Sequence, residues 1–176
     1  MIGKSSHAGN QQKGRNENMK SGKKVGVLVG VNRRIEVWRN GKLIDADEKE
    51  LDWNDLVVDG GLNALCGQAF DRSANRPAVF DYCAIGTNGT SPSASQTALG
   101  NEVMRVQGSY TKTANTGECK VEATFNITGS YALQECGLFN ASSGGTMYCR
   151  DTYTTKNVES GDTVKVYYTI TFQRPS

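Results

Sequence analysis

Residues 120–128 read KVEATFNIT and residues 163–172 read TVKVYYTITF, and the parity the two runs share decides the fold. In the first, Val121, Ala123, Phe125 and Ile127 alternate with Lys120, Glu122, Thr124 and Asn126. In the second, Val164, Val166, Tyr168, Ile170 and Phe172 alternate with Thr163, Lys165, Tyr167, Thr169 and Thr171. Successive side chains of a strand point to opposite faces, so each run has one apolar and one polar face. Burying such a row at roughly 1.5 to 3 kcal/mol per large apolar side chain supplies much of a small domain's gross stabilisation. The two runs are expected to pair as long antiparallel strands and to place Val121, Phe125, Val166, Tyr168 and Ile170 in one core.

Shorter runs at 80–85, 103–110, 132–139 and 146–153 read as further strands, with SSGG at 142–145 turning between the last two. Upstream, RRIEVWR and KLIDADE flank Asn40-Gly41, the pair best suited to the positive φ angles of a type I′ hairpin turn. Within NDLVVDGGLNALCGQAFDR, Leu62, Leu65, Cys66 and Phe70 fall at helical spacing after Asp59, which reads as the N-cap of the one helix. Twenty glycines against three prolines fit many strands joined by tight turns. The expected fold is mostly β: an antiparallel β-sandwich with one short helix and an extended N-terminal arm.

At 176 residues, of which 37% are hydrophobic, the chain fits one domain plus a tail. Its mean hydropathy of −0.51 suits a sheet protein with polar loops. The net charge of +2 is unevenly spread. Residues 1–24 carry Lys4, Lys13, Arg15, Lys20, Lys23 and Lys24 against Glu17 alone, and residues 1–22 hold almost no large apolar side chain. Such a segment cannot offset the entropy of ordering by its own burial, so it reads as a basic arm ahead of a domain at 25–176. The polar start lacks an apolar leader and the run at 25–31 is too short to span a bilayer, so synthesis in a cytoplasm and no membrane are expected.

Candidate chemistry is sparse. The lone histidine, His7, lies in the arm, where no packed shell would orient its ring as a base or ligand. Cys66, Cys83, Cys119, Cys136 and Cys149 form no C-x-x-C pair, which favours reduced, mostly buried thiols over a metal or disulfide framework. Nothing in the spacing of Glu102, Glu122, Glu135, Asp151 and Asp162 singles out a glycosidase pair. GTNGTS and SSGG lack the Lys-Ser/Thr signature of a phosphate loop and read as turns. Trp38, Trp53 and the seven tyrosines fall mostly in strand patterns, where core and cross-strand packing is the usual role. No enzyme, cofactor or metal is expected.

Three segments extend the reading: LVVDGGLNALCGQAF at 56–70, YCAIGTNGTSPSASQTALGNEVMR at 82–105 and ECGLFNASSGGTMYCRDTY at 135–153. Together they resemble small virion proteins of tailed bacteriophages, of the tail-fibre, collar or head-decoration type. Gly86, Thr87, Gly89, Thr90, Pro92, Thr97, Leu99, Glu102 and Arg105 match the middle element of that pattern, and Glu135, Gly137, Leu138, Phe139, Gly144, Gly145 and Arg150 match the last. The sequence departs from it at Asp59-Gly60 and at Ser95-Gln96, where an acid is usual. The resemblance implies a non-enzymatic, accessory capsid- or tail-attached protein of the virion. Its partners would be capsid, neck or tail subunits and further copies of itself, with nucleic acid an improbable one, and the arm would be its assembly device. A carbohydrate-binding receptor module of the virion is the alternative, with a polysaccharide hydrolase third. Within the motif, Gly86 and Gly89 are expected to permit a tight loop, and Glu102 and Glu135 to pair with Arg105 or Arg150 across neighbouring strands.

Overall fold

The computed structural model describes residues 26–52 and 57–175. The arm, with Lys4, His7, Lys13, Arg15, Lys20, Lys23 and Lys24, lies outside them, as does Trp53. The described chain runs β1 (Leu28–Arg39), β2 (Lys42–Asp52), α1 (Asp59–Phe70), β3 (Tyr82–Gly86), β4 (Glu102–Gln107), β5 (Ser109–Lys112), β6 (Glu118–Asn126), β7 (Tyr131–Phe139), β8 (Met147–Val158) and β9 (Thr163–Gln173). All pairings are antiparallel, in two sheets ordered β2-β1-β9-β6-β5 and β4-β3-β7-β8.

The strand parity read from the sequence holds. β6 and β9 pair with Val121 opposite Tyr168, Ala123 opposite Val166 and Phe125 opposite Val164, all buried on one face. Phe172 breaks the pattern and is exposed. The hairpin also forms as expected: Asn40 and Gly41 take φ of 50° and 72° between β1 and β2. Val31, Ile35 and Val37 of β1 join the β6–β9 face and pack across the sandwich on Cys83, Ile85, Leu133, Cys136, Leu138 and Tyr148.

Two elements depart from expectation. The predicted strand at 103–110 is two strands in different sheets, broken at Gly108. A Cβ there would stand 2.7 Å from the Glu122 carbonyl oxygen and 2.9 Å from Val121 Cγ1, so the chain can cross between sheets at this point only as glycine. The helix forms, but Val58, not Asp59, is its N-cap; Asp59 sits in the first turn, where its charge suits the helix dipole. Its buried residues are Gly61 and Ala64, with Leu65 half-buried against the core, while Leu62 and Cys66 are exposed and Phe70 is 82% exposed. Gly61 lies so close to the Tyr148 backbone that small residues, rather than the bulky apolar ones, define the docking face.

The outer face of the four-stranded sheet is covered as well. Val58, Ala84, Leu99, Phe139 and Met147 form a second, smaller core beneath α1 and the loop at 87–101. β3 and β7 are thereby buried on both faces, which is why CAIG and ECGLF run without alternation.

Candidate functional site

The charged motif residues form a clasp of two pairs at one end of the molecule: Glu135 with Arg150 holds this covering loop to the sheet, and Glu102 with Arg105 holds the neighbouring loop at 140–146. Glu135 on β7 and Arg150 on β8 meet at 2.7 Å, Nε to Oε2, with both side chains 0% exposed. A carboxylate buried this deeply needs all its lone pairs met. Its Oε1 accepts the backbone N–H groups of Asn88 (3.1 Å) and Asn101 (2.7 Å), and its Oε2 that of Gly100 (2.9 Å). Arg150 spends its remaining donors on the same loop, on the carbonyls of Thr90 (2.8 Å) and Asn88 (3.1 Å) and on Gln96 Oε1 (3.4 Å). Gln96 thus reaches the guanidinium as a neutral acceptor. Burial by itself would raise the Glu135 carboxyl, but the amides of Asn101 and Gly100, the Arg150 guanidinium and the Asn88 amide outweigh it and hold it below the ordinary value.

Gly86 and Gly89 serve this clasp, though not as expected. Neither is in the positive-φ set, so turn geometry does not require them. A Cβ on Gly86 would overlap the Asn101 carbonyl and lie 2.5 Å from Glu135 Oε1, and one on Gly89 would overlap the Gln134 side chain. Gly86 is a glycine because the Glu135 carboxylate and the Asn101 carbonyl stand directly against it, whereas Gly89 makes room for the side chain of Gln134.

Glu102 and Arg105 form the second half of the clasp and correct another expectation. They pair within β4, not across strands: Arg105 donates Nε and Nη2 to the two Glu102 oxygens at 3.0 and 2.6 Å. A register shift beside Gly86, where Ile85 faces Met104 but Gly86 faces Glu102, inserts one residue and brings positions three apart onto one side. Arg105 Nη1 then donates to the carbonyls of Ala141 (3.0 Å) and Gly144 (2.9 Å), and its guanidinium lies 3.6 Å from the centre of the Phe139 ring. Both loops at this end, 87–101 and 140–146, are therefore pinned by one arginine each.

Sequence reasoning missed a second polar cluster, which ties the sandwich at its open side. Arg33, pointing inward and 2% exposed, binds Asp47 of β2 and, at 3.0 Å, Asp151 of β8. Beside it Lys156 of β8 reaches Asp45 of β2 at 2.8 Å. The signal was present: Arg33 is in phase with Ile35 and Val37, so the alternation of RRIEVW already pointed it at the core.

Two of the thiols are held in their unreactive form. Burial pushes the Cys136 thiol up to about 12 and raises Cys83 further, so both are protonated near neutral pH. Cys83, Cys136 and Cys149 are buried, as expected, whereas Cys119 is half-buried and Cys66 exposed. Among the described residues, no group of three or more His, Cys, Asp or Glu side chains is arranged to hold a metal ion. The exposed aromatics Phe70, Tyr110 and Phe172 sit on α1, β5 and β9 respectively, and Trp38 and Tyr167 are committed to Glu36 at 2.9 and 3.2 Å. An open cleft of about 500 Å³ lined by Arg39, Tyr131, Asn157 and Glu159 has its arginine already held by Asp162 at 2.8 Å. No helix among the described residues is long and apolar enough to cross a membrane.

Comparison with protein-family models, with curated proteins and with solved structures returns no match.

Proposed function

We propose that this chain is a non-enzymatic structural component of a tailed-bacteriophage virion, an accessory capsid- or tail-attached protein that assembles through its N-terminal arm. The observation that carries the reading is the clasp. Every charged group of the motif is spent on backbone or on another motif residue, which is how a scaffold uses buried charge. A catalytic pair would instead leave a carboxylate or nucleophile open to a substrate. Rigid, pinned loops on a two-sheet body suit a part that must present one surface to neighbouring subunits, and the six arm cations supply a means of attachment outside that body.

The test is deletion of residues 2–22. The truncated protein is expected to retain the β-sheet circular-dichroism spectrum and cooperative melting of the full chain, and to be missing from assembled particles. Incorporation at the full-length level would reduce the arm to a passive tail and overturn the reading.

A further inference from the structure

β2 forms one edge of the five-stranded sheet and among the described residues pairs with no strand but β1, while Arg33 and Lys156 donate to its Asp47 and Ala46 carbonyls. It is 11 residues long, buries none of the side chains from Lys42 to Leu51, and exposes Leu43, Ile44 and Leu51. A strand edge of this length offers a row of backbone N–H and C=O groups as a template for an added strand. The other edges are less available. β5 has 4 residues and β4 has 6, while β8 is partly occupied by the bridge from Val57 to Cys149 and by the docked helix.

Charge narrows the occupant. Asp45, Asp47, Glu48 and Glu50 outnumber Lys42 and Lys49 along this edge; Lys156, Arg33 and Arg34 pair with the first three, yet Asp45 and Glu48 keep 45% and 50% of their side chains exposed and open to further cations. The segment of this chain ahead of the described residues carries six cations and one acid in residues 1–24. At ~3.3 Å per residue it reaches up to roughly 80 Å, against roughly 35 Å for the whole β2 edge. It joins β1 at the end where Val31 faces Asp52, the C-terminal end of β2. By the direct route, a chain's own arm would line β2 only by running parallel to it and passing over it into β1. A neighbour's arm has no such constraint and can take the antiparallel direction, which is the more stable per residue.

We propose that β2 is the acceptor for the basic arm, residues 1–24, of a second copy of this chain, taken up as an added strand along the acidic edge. The proposal rests on reading the arm as an assembly segment and names the surface that receives it. The test places the photo-crosslinking residue p-benzoylphenylalanine at Ile44 of the full chain, and in a separate chain at Tyr110 of β5. Each is irradiated as an equal mixture of ¹⁴N- and ¹⁵N-labelled protein. Position 44 is expected to capture peptides from residues 1–24 in mixed-isotope pairs, with a severalfold loss of yield as salt is raised to about 1 M, where the screening length falls to ~3 Å. Position 110 is expected to capture the arm at least several times less. Capture by position 44 of same-isotope arm alone, of some other segment or of nothing overturns the proposal, as does equal capture at position 110. Particle incorporation of the 2–22 deletion separates the two ideas. If the deleted chain is excluded yet position 44 fails to capture the arm, the assembly reading stands and β2 is not its acceptor. If position 44 captures the arm but the deleted chain enters particles normally, the acceptor stands and the assembly reading falls.

Discussion

Glu135 gathers four donors on two oxygens, so its ionised form is what holds the 87–101 loop closed. Glu135→Gln keeps the shape but removes the charge and turns an NH₂ group toward donors. Removing one partner of a buried pair costs about 3 to 5 kcal/mol, and Glu135→Gln is expected to lower the unfolding free energy by about that much in urea titrations. A double-mutant cycle with Arg150→Met should show strong non-additivity, since the second change removes the charge the first left unpaired. An unchanged urea midpoint for Glu135→Gln would refute the clasp. The resemblance singled out Glu135 and Arg150, but their partners were not legible. Asn88, Gly100 and Asn101 contribute backbone amides, which any residue but proline supplies, so no side-chain pattern could have marked them.

At the scale of elements, α1 shows where local rules stop. Replacing a helical glycine with alanine usually gains about 1 kcal/mol. For Gly60 that gain is expected, because a Cβ there meets only Thr146 Cγ2 at an ordinary 3.5 Å. For Gly61 the sign should reverse: its Cβ would stand 2.9 Å from Tyr148 Cα, and overpacking against backbone costs roughly 1 to 3 kcal/mol. Thermal melting should therefore rank Gly60→Ala at or above the unmodified chain and Gly61→Ala below it; the reverse order would mean that α1 docks on another face. The 3.6-residue spacing of Leu62, Leu65, Cys66 and Phe70 identified the helix but not its buried side. How close α1 comes to β8 is set by the absence of side chain at Gly61, and hydrophobicity carries no record of that.

Across the whole molecule, three carboxylates in separate places share one electrostatic condition. For Glu36, burial works against ionisation but the Trp38 indole, Arg34 and Tyr167 outweigh it; Arg39 does most for Asp162; and Glu135 is held by the clasp. All three sit below their ordinary values of 4.5 for glutamate and 3.8 for aspartate. A depressed folded-state value contributes stability that is complete above the unfolded value and is lost as pH falls through the folded one. The melting temperature is thus expected to hold through the neutral range and to fall steeply below about pH 4, where carboxylates of ordinary affinity begin to protonate. A melting temperature that did not drop there would contradict these assignments. The β class, the β6–β9 pair with its buried face and the Asn40-Gly41 hairpin were all legible in the order of residues. Alternation and turn chemistry act between residues a few positions apart, so they are complete in the chain as read. The change of sheet at Gly108, the cover on both sides of β3 and β7, and the closing of Glu135 and Arg150 over one loop were not legible there. Each of these depends on which distant backbone comes within 3 Å of which, a relation that exists only once the two sheets have packed.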